Sequence, residues 1–68
     1  MHTHAAKDAI LNKIQSELQE AEDFAKMYLE YAERYERDGN KYAGMYREYY
    51  LEQIALATEW QLLLDCYQ

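Results

Sequence analysis

Apolar residues recur at alternating steps of three and four along two stretches of this chain, and proline is absent throughout. The first row is Leu11, Ile14, Leu18, Ala21, Ala25, Tyr28, Ala32 and Tyr35. The second is Tyr42, Tyr46, Tyr49, Gln53, Leu56, Trp60, Leu63 and Tyr67, with Gln53 its one polar member. Such spacing keeps returning to one face of an α-helix, and four unbroken repeats of it make a heptad seam. No stretch of useful length alternates with the period of two that a strand needs. Between the rows lies Arg37-Asp38-Gly39-Asn40-Lys41. Gly39 suits the left-handed residue that closes a helix, and Asn40 can accept from the free amides that open the next.

A short connection forces two helices antiparallel. The expected fold is therefore all-α, a single hairpin domain over residues 1–68 with helix one at about 4–37, a turn at about 38–41 and helix two at about 42–66. At ~1.5 Å per residue the arms run roughly 50 Å and 40 Å. Thr3 is the expected cap of helix one. Glu22–Lys26, Glu30–Arg34 and Glu33–Arg37 place an acid four residues before a base and support its exposed side. Gly44 falls one turn into helix two, where it costs about 1 kcal/mol relative to Ala. It is expected either to permit a close approach by helix one or a partner, or to belong to a longer loop with the helix starting near Met45.

A chain of 68 residues buries only about 60% of its extended surface on folding. Its single cysteine, Cys66, cannot form an internal disulfide. Half the residues are hydrophobic, too many for a disordered acidic tail. Additional stability is thus expected from a second copy or from another protein. Seven Lys and Arg against thirteen Asp and Glu give a net charge of −6, which repels phosphate backbones and anionic lipids. Runs such as Leu62-Leu63-Leu64 fall far short of the ~18 apolar residues of a membrane span. Met1-His2-Thr3-His4 lacks the charged-then-apolar layout of a signal peptide. The expectation is a cytoplasmic protein that neither binds nucleic acid nor enters a membrane.

The apolar residues exceed what one hairpin contact requires. Helix two carries a second heptad row, Ala43, Tyr46, Tyr50, Gln53, Ala57, Trp60, Leu64 and Tyr67, widened by Leu51, Ile54 and Leu62. Helix one adds Phe24, Met27, Leu29 and Tyr31 away from its seam. Apolar residues over most of a helix's circumference signal burial on several sides, and an uncovered patch marks a protein-binding surface. Eight Tyr and one Trp supply large side chains with few rotors and a polar tip, the usual interface anchors. The expected partner-binding residues are Tyr46, Tyr49, Tyr50, Ile54, Ala57, Trp60 and Leu64.

Chemistry is thinly represented. His2 and His4 sit near a free end, where a solvated terminus is the simpler reading than a metal site. Glu17 and Glu20, Glu30 and Glu33, and Glu33 and Glu36 are spaced three apart. Di-iron bundles, however, need Glu-x-x-His pairs, and no His occurs beyond position 4. Cys66 has no His near it in sequence to activate it. There is no glycine-rich phosphate loop. A non-enzymatic protein without metal or cofactor is expected.

Arg37-Asp38-Gly39-Asn40-Lys41-Tyr42, then Tyr46-Arg47-Glu48, Leu51-Glu52 and Ile54-Ala55-Leu56-Ala57 resemble the small co-chaperones of type III secretion needle subunits. The likeness covers roughly residues 36–60, and the Leu-Glu step aligns after a one-residue shift. Helix one matches in length and amphipathicity alone, and eight Tyr are more than that family suggests. The resemblance implies an α-hairpin that, with a larger repeat-type chaperone, keeps the needle subunit soluble and monomeric in the cytoplasm. Two other readings stay open. One is a homodimeric four-helix bundle with a regulatory task. The other is an acidic, nucleic-acid-mimicking inhibitor from a mobile element, acting through Glu17, Glu20, Asp23, Glu30 and Glu33.

Overall fold

The computed structural model describes residues 2–68, with side chains from Ala5 onward. Two helices, α1 (His2–Arg37) and α2 (Ala43–Tyr67), pack against each other as an all-α hairpin 57 Å long. Among the described residues there is no strand. Helix α1 begins at His2, so Thr3 lies inside it rather than ahead of it. The side chains of Thr3, His2 and His4, expected to cap the helix or to line a solvated end, lie outside the described residues.

The turn closes as local chemistry dictates. Gly39 takes φ +68°, the left-handed conformation that other residues adopt only with strain. Its neighbour's amide, Asn40 N–H, donates to Tyr35 C=O at 2.8 Å, and Gly39 N–H donates to Glu36 C=O at 3.2 Å. This pair of bonds satisfies the carbonyls left free at the end of α1. Asn40 Oδ1 then accepts from Tyr42 N–H at 2.8 Å, and Asn40 C=O accepts from Ala43 N–H at 3.2 Å, starting α2.

Helix α2 therefore begins before Gly44, and the longer-loop alternative is set aside. Gly44 makes no close approach to helix one either: a Cβ built on it meets nothing within 4 Å, and its φ is not positive. Replacing Gly44 with Ala is expected to stabilise the chain by about 0.5–1 kcal/mol, because only backbone freedom of the unfolded state is removed. Replacing Gly39 with Ala is expected to destabilise it, because its conformation is left-handed. Urea midpoints followed by circular dichroism should move in opposite directions for the two variants.

On α1 the buried residues are Ile14, Ala21, Ala25 and Ala32, with Leu11, Leu18, Tyr28 and Tyr35 half-buried, all members of the first row. On α2 the inward row is not the one expected. Tyr42, Tyr49, Leu56, Leu63 and Tyr67 are exposed, whereas Ala43, Tyr46, Tyr50, Gln53, Ala57 and Trp60 are half-buried and Leu64 is buried. The two rows share Tyr46, Gln53, Trp60 and Tyr67, so a small rotation of α2 exchanges them. That rotation brings the small Ala43 and Ala57 to the contact, which suits the close spacing that an alanine-lined α1 permits.

The three expected ion pairs of α1 are not closed. Among the described residues, Lys13 pairs with Glu17 at 2.8 Å and Arg47 with Glu36 at 2.9 Å. Exposed i,i+4 pairs gain only a few tenths of a kcal/mol, too little to hold two long side chains together at every candidate position. The Arg47–Glu36 pair joins the two helices beside the turn.

Candidate protein-binding faces

A two-helix layer has two broad faces, and both are apolar here. Next to the turn, the rings of the layer pack on one another. Tyr46 lies 5.2 Å from Tyr35, 5.5 Å from Tyr31, 6.0 Å from Tyr49 and 6.3 Å from Tyr28, measured between ring centroids. Tyr28 also meets Tyr49 at 5.4 Å and Phe24 at 6.2 Å. Ring pairs at these separations are attractive beyond the area they bury. Burial among the rings pushes the Tyr46 phenol above its ordinary value, with Tyr35 and Tyr31 adding to the effect. Tyr46 is thus the centre of an internal cluster.

The first face follows one side of α2. Leu51, Ile54, Thr58 and Leu62 succeed one another at steps of three and four and so share one side of the helix. Leu51 is 57%, Ile54 41% and Leu62 61% exposed. Leu18 and Ala57 form the floor of a groove between Ile54 and Leu62, with Glu22 and Gln61 at its edge. Its polar groups are occupied locally: Thr58 Oγ1 donates to Ile54 C=O at 2.9 Å and Gln61 Nε2 donates to Asp65 Oδ1 at 3.0 Å. Covering this face would leave neither donor without a partner. The carboxylates of Glu22 and Asp65 give the groove an acidic rim.

The second face lies on the other side of the layer. Ile10 and Ile14 of α1 meet Trp60, Leu63 and Tyr67 of α2 near the open end. The surface continues through Leu56 and Phe24, bordered by Glu17 and Glu20, towards Tyr28 and Tyr49.

The seven residues expected to bind a partner are therefore divided. Leu64 is buried, and Tyr46, Tyr50, Ala57 and Trp60 lie half-buried along the seam. Ile54 is exposed on the first face and Tyr49 on the second. Leu51, Leu62, Leu56 and Leu63, placed at the margin or in the inner row by spacing alone, are the more exposed apolar residues. Their signal was the apolar width of α2, which exceeds any single row. Glu20, Glu30, Glu33 and Glu36 are exposed, and no group of three or more His, Cys, Asp or Glu among the described residues is placed to hold a metal ion. Cys66 is free and exposed. Among the described residues no helix is long and apolar enough to cross a membrane. Compared with protein-family models, with curated proteins and with solved structures, the chain gives no match.

Proposed function

We propose that the chain is a non-enzymatic protein-binding hairpin that receives an amphipathic helix of a partner on the Leu51–Ile54–Leu62 face. Its role resembles that of the cytoplasmic co-chaperones which, with a repeat-type chaperone, keep a type III secretion needle subunit soluble. The row of exposed aliphatic side chains carries this reading. Fully burying a Leu or Ile gains about 1.5–3 kcal/mol, so three of them can anchor a helix laid into the groove. The acidic rim of Glu22 and Asp65 favours a helix with basic residues beside its apolar stripe. The Gly39 turn supports the resemblance at the level of local structure.

The test uses the full chain, the needle subunit encoded in the same genome and its repeat-type chaperone. Light scattering should show the subunit remaining monomeric with the unaltered chain. A Leu51→Glu, Leu62→Glu double variant should bind roughly 100-fold more weakly and let the subunit polymerise. Equal protection by the double variant overturns the assignment of this face. A genome without a needle subunit, or polymerisation unaffected by the chain, overturns the co-chaperone role.

A further inference from the structure

We propose that the second face binds a second copy of this chain, joining two hairpins into a two-fold four-helix bundle. The inference is independent of the partner read onto the first face, which such a bundle leaves open on its outer sides.

Three observations converge on a copy as the occupant. The first is an unused heptad row. Tyr49, Gln53, Leu56, Trp60, Leu63 and Tyr67 keep alternating steps of four and three, yet Tyr49, Leu56, Leu63 and Tyr67 are left exposed by the hairpin itself. A row of this kind packs by inserting its side chains into the holes of a matching row, and the matching row is present on an identical chain. From Tyr49 to Tyr67 it extends about 27 Å at ~1.5 Å per residue, long enough for the shallow crossing of helices in a bundle.

The second observation is area. The chain exposes 5308 Å², whereas a compact monomer of 8.2 kDa exposes roughly 4,500 Å². The surplus of about 800 Å², spread over the faces and ends of a rod 57 Å long, is of the size that each partner buries in an interface of standard size. The third is charge. With a net charge of −6, two copies repel unless their contact avoids acids. On this face Glu17 is paired with Lys13 at 2.8 Å, and Glu20 stands at the border. The first face, rimmed by Glu22 and Asp65, would set like charges together if two copies met there.

Light scattering of the full chain should rise from the mass of one chain towards twice that mass between about 1 and 200 µM. Trp60, the one tryptophan, sits on this face, so its emission should shift to shorter wavelength as the dimer forms. A Leu56→Glu, Leu63→Glu variant should raise the dissociation constant at least 100-fold, while Leu51→Glu with Leu62→Glu should leave it within threefold. The emission of the unaltered chain decides the matter even where the first variant fails to fold. A single-chain mass throughout with concentration-independent Trp60 emission overturns the proposal. So does a dimer that dissolves with Leu51 and Leu62 replaced but survives replacement of Leu56 and Leu63.

Discussion

Replacing Ala32 with Leu is expected to remove much of the fold's stability. Ala32 has no exposed surface at all, and Ala21 and Ala25 are nearly as enclosed. These three alanines, with Ile14 and Leu64, are the buried hydrophobic residues described, so the core is a narrow line rather than a volume. Tyr31 and Tyr35, on either side of Ala32 in sequence, both pack on Tyr46 and leave the added methyl groups little room to turn aside. Overpacking a close contact costs about 1–3 kcal/mol. A core of this size supplies only about 3–5 kcal/mol in all. The urea midpoint should fall by a third or more, and an Ala25→Leu, Ala32→Leu double variant should show little helix even without denaturant. Ala55→Leu, on the exposed side of α2, should stay within about 0.5 kcal/mol of the unaltered chain. Equal midpoints for Ala32→Leu and Ala55→Leu would place the contact elsewhere.

Helix α1 was readable from spacing because one unbroken row of small and large apolar residues, Leu11 to Tyr35, became its buried or half-buried side. The turn was readable because Gly39 and Asn40 have few alternative uses at a break between two such rows. Helix α2 was not, and the reason is physical. Its two candidate rows share four residues and differ by a modest rotation, so periodicity assigns them equal merit. The choice depends on how closely α1 allows α2 to approach, which is a property of the alanines of the other helix. The same ambiguity divided the expected partner residues: Leu64 and Ala57 went to the seam with their row, and Tyr49 went to the surface with its own. The surplus of apolar surface was legible from composition and length. Its separation into an aliphatic face with an acidic rim and a heptad face with a neutralised ion pair needed the packed layer.

The ring cluster beside the turn gives the second large effect. Tyr46→Ala removes the one ring that touches four others, so Tyr28, Tyr31, Tyr35 and Tyr49 lose their common neighbour. The ratio of folded to unfolded chain should drop roughly 5- to 30-fold or more. Tyr42→Ala removes an exposed ring that packs on no other ring among the described residues and only faces the Lys41 ammonium, 5.4 Å from its centroid, and should change that ratio little. Tyr46→Phe keeps the ring and isolates the phenol. Because burial raises the Tyr46 phenol above its ordinary 10.0, the folded chain holds that proton more tightly than the unfolded one. The contribution is therefore complete below about pH 10 and is lost as the pH climbs through the raised value. Helical signal followed from pH 8 to 12 should decline more gradually for Tyr46→Phe than for the unaltered chain. Identical declines would show that the phenol is solvated, and a Tyr46→Ala variant as stable as Tyr42→Ala would show that the rings do not hold the turn end together.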